Sequence, residues 1–322
     1  MTSSGTLDVT AVVCTHQMLR YPQLLACLES LHAQTRPPQE IIVVVDGCPE
    51  VAEALTGRGG PETVVALPEN AGLSAARNAG VQRVSTEWVA FLDDDAIAEE
   101  TWLERLQAAC REMGTVGAGG WSAPLFDGSE PSWLPPELLW TVGCSYRGMP
   151  SVRTLIRNVF GGCALLRRDL FDLVGGFDVD LGRRGTGTDG GEEAEFCLRV
   201  TAADPAARFA HVPDAVIRHR VGEERARPRY VLARCYSDGK SKGVIARSRG
   251  LRALGAESSF LLRVVPSGIV ACLRTGRVST AAALLAGVAA ASLGYLQSRV
   301  TGVFAGPLST SPVTSSRQLC GS

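Results

Sequence analysis

Trp88-Val-Ala-Phe-Leu-Asp-Asp-Asp95 is the stretch that decides how this chain reads. Five apolar residues deliver three consecutive carboxylates, Asp93, Asp94 and Asp95, to what should be the tip of a β-strand. Packing three like charges together costs stability, because each disfavours ionisation of the others. A hard divalent cation such as Mg2+ or Mn2+ removes that cost, since it takes carboxylate oxygens and is commonly shared with substrate phosphates. The plain alternative is a solvated turn, or a helix cap feeding residues 96–109, where Asp is favoured. One Asp suffices for a cap. Three after a buried strand point to a metal-phosphate site.

Upstream, Val9–Cys14 reads as a buried strand followed by Thr15 and His16, and Tyr21–Gln34 has helical spacing that stops before Pro37-Pro38. Ile41–Val45 is an apolar, largely β-branched run that suits a parallel strand covered on both faces, and it ends in Asp46-Gly47. A helix over Glu50–Thr56 and a short strand over Thr63–Leu67 follow. This alternation predicts a doubly wound α/β sheet, whose ligands sit beyond the C-terminal strand ends. Thr15, Asp46 and Asp93–Asp95 all fall at such ends. Gly72 and Gly80 bracket a short helix on which Ser74, Arg77 and Asn78 share one face. The planar fork of Arg77 suits a phosphate or a base edge.

Downstream, residues 120–160 carry Trp121, Trp133 and Trp140 among prolines and read as a long loop over the sheet, the kind that serves as a lid or acceptor site. Phe160–Leu166 is a strand entered through Gly161 and Gly162, which allow close backbone approach; Arg168–Val174 is a helix. The glycine-rich stretch Gly182–Gly191 reads as mobile and runs into a helix opening on Glu192, Glu193 and Glu195. Acids are favoured in a first helical turn, and one facing the cleft can serve as a general base. His219 closes the last strand, Ala215–His219, where it is available as a third metal ligand.

The 322 residues suffice for one large α/β domain with an appendage or for two ordinary domains, and 45% hydrophobic with 20% charged content is that of a folded globular protein. A net charge of -1 argues against nucleic acid as the principal partner. The balance is uneven along the chain. Residues 223–305 hold 13 Lys+Arg against 4 Asp+Glu, while residues 1–222 hold 18 against 29. The expected organisation is a catalytic domain over 1–222, a basic and apolar helical extension over 223–305, and a disordered Ser/Thr/Pro-rich tail over 306–322. Within the extension, residues 278–298 carry no charge but are rich in Ala, Gly, Ser and Thr. They are long enough to cross a bilayer yet weakly apolar, and the expectation is helices lying at an anionic membrane surface, with a soluble helical hairpin as the alternative. Ten scattered cysteines without a CxxC pair, and no basic-then-apolar leader, predict a reduced, cytoplasmic protein, peripheral at the inner face of the cell membrane.

Taken in order, Val12–His16, Val43–Gly47, Asn70–Gly80, Phe91–Asp95, Gly161–Leu165, Gly176–Asp178, Gly191–Arg199 and His219 resemble the motif series of a family 2 glycosyltransferase of the GT-A fold, over about residues 9–220. The resemblance implies an inverting, metal-dependent transfer of a sugar from a nucleotide-diphosphate sugar to an acceptor hydroxyl, with a cell-surface polysaccharide or glycolipid precursor as acceptor. It implies that Thr15 and Asp46 hold base and ribose, with Arg77 near base or diphosphate and Asn78 beside it. Asp93 and Asp95 stand at the family's DXD motif, Asp95 as metal ligand, Asp93 as ribose or metal contact and Asp94 beside them on the donor. His219 approaches the metal or diphosphate from the other side. The family's acidic pair is usually Glu-Asp; here it is Glu192-Glu193, which implies Glu193 as catalytic base, with Glu192, Gly161 and Gly162 toward the acceptor. A nucleotidyltransferase is the competing enzyme, but Cys14–Met18 lacks the glycines and basic residue that hold a triphosphate. A catalytically inactive binding protein of the same fold is the remaining alternative, against which the intact acids at 93, 95 and 193 argue.

Overall fold

The computed structural model describes residues 7–183, 190–249 and 255–304. Its first half is built from strand–helix units: β1 (Val9–Thr15), α1 (Tyr21–His32), β2 (Glu40–Asp46), α2 (Pro49–Arg58), β3 (Thr63–Leu67), α3 (Leu73–Val81) and β4 (Trp88–Leu92). The apolar runs place these strands in the order β3-β2-β1-β4, all parallel. Alternate side chains then feed two cores. Val9, Ala11 and Val13 pack with Leu24, Leu28 and Leu31 of α1 on one face, and Val12, Ile42 and Val44 pack under Ala76 and Val81 of α3 on the other.

Beyond β4 the sheet becomes mixed. The chain continues as β5 (Ala96–Ala98), α4 (Trp102–Met113), β6 (Gly117–Phe126), a 3-10 turn Pro136–Val142, β7 (Thr154–Ile156), β8 (Cys163–Arg167), α5 (Asp169–Val174), α6 (Glu192–Ala203) and β9 (Phe209–Val221). The sheet order extends as β4-β8-β6-β9-β5, with β7 also on β9. β8 is antiparallel to both β4 and β6, whereas β6 and β9 are parallel. The three aspartates form the turn between β4 and β5, closed by Ala96 N–H donating to the Asp93 carbonyl at 3.0 Å. They cap no helix, because α4 begins only at Trp102.

The segment 120–160, read as loop from its tryptophans and prolines, contributes most of β6 and all of β7. The C-terminal part is helical: α7 (Pro228–Arg249), α8 (Gly255–Ser259), a π turn Phe260–Val264, α9 (Val265–Arg274) and α10 (Val278–Phe304). The α7 helix runs unbroken through Lys240. Val231 and Cys235 of α7, Val265 of α9 and Leu284 of α10 share a third core with Leu134, Leu138 and Val142, so the helices pack on the 3-10 turn. The cysteines within the described residues are free. Most of the expected mobile stretch (residues 184–189) and the expected tail lie outside the described residues.

Candidate active site

Strand ends bring the acidic residues together. Asp93–Asp95 lie at the tip of β4, and β9 runs beside the turn in a register that pairs His219 with Ala96 and lets Arg220 N–H donate to the Asp95 carbonyl at 2.8 Å. His219 Nε2 then stands 3.2 Å from Asp95 Oδ1. Ligand atoms of Asp93, Asp95 and His219 lie within 4.8 Å of one another, a spacing that one divalent cation bridges. Two carboxylates suit Mg2+ or Mn2+, and the imidazole is compatible with a third position. The donor set fits the metal that the resemblance implies.

Two cavities adjoin this cluster and share Asp93, His219, Leu73 and Arg183 in their walls. The first is lined by Thr15, Asp46, Asp94 and Asp95, and the second by Gly161, Gly162, Glu192, Glu193 and Trp140. In the first, Asp46 is buried, and its carboxylate accepts Ala71 N–H at 2.8 Å and Gly72 N–H at 3.0 Å, which folds the Asn70–Gly72 loop across the β2 end. Thr15 is buried in the same wall. Asp94 accepts from Arg20 Nη1 at 2.7 Å. Burial pushes the Asp94 carboxyl up to about 6, against the opposing pull of Arg20. Burial acts the same way on Asp95 but is outweighed there by His219, Arg225 and Arg20, which hold its carboxyl below the usual range. His219 shows the reciprocal balance: burial lowers it, and the charge of Asp95 raises it further.

In the second cavity Glu193 Oε1 accepts Gly161 N–H at 3.1 Å and lies 3.4 Å from Arg77 Nη1. A side chain at Gly161 would strike Arg77 and Glu193, and one at Gly162 would strike the Asp93 carboxylate. Both glycines thus let the backbone before β8 lie close against these side chains. Glu192 is the more buried acid, with its side chain 4% exposed against 20% for Glu193. Burial first, and the neighbouring Glu193 charge second, push the Glu192 carboxyl up to about 7. Its Oε2 makes no hydrogen bond among the described residues.

Two further residues expected on the donor, Arg77 and Asn78, lie outside the wall of the first cavity. Arg77 does not turn its fork to a base edge: it is buried, 3.2 Å from both Asp93 and Glu192, and sits over the rings of Phe91 and Phe177. It lines the second cavity and ties the DXD turn to the acidic pair. Asn78 lines neither cavity, because its amide is spent on the backbone of Phe177, donating to the carbonyl and accepting from the N–H at 2.8 Å each.

Sequence reasoning also missed three arginines and a tyrosine in the wall of the first cavity. Arg20, Arg225, Arg183 and Tyr230 line the first cavity, with Arg20 and Arg225 at 3.2 and 3.4 Å from Asp95 Oδ2. Arg234, Asp238 and Lys242, one face of α7, line the second. Arg20 and Arg225 follow the ends of β1 and β9, so the strand-end rule that singled out Thr15 and His219 would have found them.

Residues 10–175 match the family described as Glycosyl transferase family 2. The chain is similar to the glucosyl-dolichyl phosphate glucuronosyltransferase of Haloferax volcanii, 33% identical over 243 residues that cover 74% of this chain and 77% of that protein. It is also similar to the succinoglycan biosynthesis protein ExoM of Rhizobium meliloti, 28% identical over 307 residues, 90% of this chain and 94% of that one. Among solved structures, the crystal structure of GalNAc-T7 with UDP, GalNAc and Mn2+ shares the fold with a TM-score of 0.51 at 15% identity, over 76% of this chain and 52% of that one. The mixed, curled sheet is thus that of a GT-A glycosyltransferase. Such coverage makes the protein a glycosyltransferase that belongs to glycosyl transferase family 2.

Proposed function

We propose that this enzyme is an inverting glycosyltransferase that moves a sugar from a nucleotide-diphosphate sugar to the hydroxyl of a glycan or glycolipid acceptor, assisted by Mg2+ or Mn2+. The observation that carries the reading is the pair of cavities meeting at Asp93 and His219, one walled by the Asp turn and the other holding Glu193. In this reading residues 1–222 form the catalytic part and 223–305 a helical extension that closes the cavities from one side. The names of the relatives, one acting on a glucosyl-dolichyl phosphate and one in succinoglycan biosynthesis, favour a lipid-linked or cell-surface glycan acceptor. That favours in turn a cytoplasmic enzyme peripheral at an anionic inner membrane surface.

Thr15 and Asp46 would line the base and ribose end of the first cavity, and Asp93, Asp95 and His219 would hold the cation at its diphosphate end. A bound cation supplies electrostatic stabilisation of the departing diphosphate. Glu193 takes the proton of the acceptor hydroxyl as its oxygen bonds to the anomeric carbon. The sugar–phosphate bond breaks on the opposite face, and the nucleoside diphosphate leaves. With one base and no nucleophilic carboxylate assigned, the anomeric configuration inverts. Arg77 keeps Glu193 and Asp93 in fixed relation across the cavity junction.

Incubating the protein with Mg2+ or Mn2+ and a panel of nucleotide sugars tests the reading through released nucleoside diphosphate. Release from none of them, with and without acceptor extracts, would refute it. The arginines make a sharper expectation. Arg225 Nη1 makes no hydrogen bond among the described residues, and Arg225 lies beside the acids rather than the base end. Arg225→Gln should weaken nucleoside diphosphate binding by roughly tenfold or more, the usual worth of one charge-assisted hydrogen bond, while nucleoside binding stays unchanged in calorimetry. Equal loss for nucleoside and diphosphate would assign Arg225 a merely structural part.

A further inference from the structure

The C-terminal helices leave a large apolar surface uncovered, and it is charged in one sense only. On α9 and the preceding turn Leu262 and Leu273 are 77% and 58% exposed, and on α10 Leu285, Leu293, Leu296 and Val300 are 53–62% exposed. Residues 260–304 contain four arginines (Arg263, Arg274, Arg277, Arg299), all exposed, and no acid. A helix facing water ordinarily places charges on its outer face; α10 presents none between Arg277 and Arg299.

The opposite face of α10 is sealed against α7. A side chain at Gly239 would run into the Ala291 carbonyl, one at Gly294 into the Tyr236 carbonyl, and one at Gly243 into Ser298. The α9 helix is seated likewise, since a side chain at Gly268 would strike Glu137, which is paired with Arg147 at 3.1 Å. On its other side α7 carries Arg234, Asp238 and Lys242 along the second cavity, with Lys242 held by Glu257 at 2.8 Å. Drawing α10 across a bilayer would draw these ionic residues and the cavity in with it, which is costly.

We propose that the outer faces of α9 and α10 bed into the headgroup region of an anionic bilayer, with α10 lying along the surface rather than crossing it. The four arginines meet lipid phosphates while the leucines enter the acyl boundary. The acceptor cavity then lies two helices, α10 and α7, behind the face that meets lipid, roughly 20 Å at about 10 Å per helix, which holds it near the surface that carries a lipid-linked acceptor. The inference rests on the reading of the second cavity as the acceptor site.

Flotation of the full chain on vesicles tests it. The protein should float with phosphatidylcholine–phosphatidylglycerol vesicles and much less with phosphatidylcholine alone. The variant L285E/L293E/L296E should lose at least tenfold in bound fraction with melting temperature unchanged. The quadruple arginine-to-glutamine variant at 263, 274, 277 and 299 should lose the preference for anionic lipid. Flotation unchanged in both variants, or a dimer in sedimentation that ignores vesicles and dissociates in the leucine variant, would overturn the proposal. Retention in cell membranes after alkaline carbonate would show a spanning helix and overturn it as well. Release of nucleoside diphosphate from donor sugars without vesicles is read separately, so failure of the catalytic reading is distinguishable from failure of this one.

Discussion

Glu193→Gln is expected to lower transfer by about a thousandfold or more, the range of a lost general base, while nucleoside diphosphate affinity changes little. The substitution is nearly isosteric, and a glutamine carbonyl can still accept the Gly161 N–H that holds Glu193 Oε1 at 3.1 Å. Arg77 keeps Asp93 and Glu192 as partners. The lost property is therefore the carboxylate's ability to take a proton. Glu192→Gln supplies the contrast and should retain at least about a tenth of wild-type transfer, because the Glu192 side chain is 4% exposed against 20% for Glu193, the more accessible acid. The opposite pattern, with Glu192→Gln inactive and Glu193→Gln active, would move the base to Glu192. Stability gives an independent check on the pair. The Glu192 carboxyl is pushed from its model-peptide value of 4.5 up to about 7 by burial and by Glu193. Between those values the folded state holds a proton that the unfolded state has released, so stability falls as pH rises through the window. Glu192→Gln should flatten that dependence in thermal melts between pH 5 and pH 7, which a solvent-exposed Glu192 would not produce.

The readable part of the fold is the part whose strands are marked by their own apolar runs, however far away their partners lie. The runs around Val12, Val43 and Phe91 announce buried parallel strands on their own, and their ends place Thr15, Asp46 and the Asp turn. β6 is not announced, because Gly117, Gly119 and Gly120 carry no side chain to pattern, and its strand character comes from pairing with β8 and β9. The site shows the same division. The acidic helix start at Glu192-Glu193 and the strand-end His219 stand out by type and position, and the structure brings them to one cavity, but Arg77 and Asn78 share a helical face whose direction the spacing does not give. That face looks toward Phe177 and the acidic pair rather than into the first cavity. Arg20 and Arg225 follow the ends of β1 and β9, where the strand-end rule points, and the fold brings both onto Asp95.

Asp95→Asn should abolish the metal dependence of nucleoside diphosphate binding without abolishing binding itself. Asp95 is the residue on which the local charge balance turns: His219 approaches one oxygen at 3.2 Å, and Arg20 and Arg225 approach the other at 3.2 and 3.4 Å. Its removal takes a carboxylate from the Asp93–Asp95–His219 cluster and also releases those cations. Arg20 retains Asp94 at 2.7 Å, while Arg225 is left in the wall of the first cavity without Asp95, where the proposed donor diphosphate would meet it. Breaking a buried ion pair by removing one partner costs about 3–5 kcal/mol, so the melting temperature should fall. Bound diphosphate compensates part of that loss by replacing the missing negative charge. Calorimetry is therefore expected to show Mg2+ or Mn2+ strengthening diphosphate binding in the wild type and having no effect in the variant. Metal-free affinity should be equal or higher in the variant, and the thermal shift on adding diphosphate without metal should be larger. An unfolded variant would bind in neither condition, and one that still answered to metal would place the cation on Asp93 and His219 alone. The combination of lost metal response and retained metal-free binding belongs to a carboxylate that serves the cation when donor is bound and the arginines when it is not.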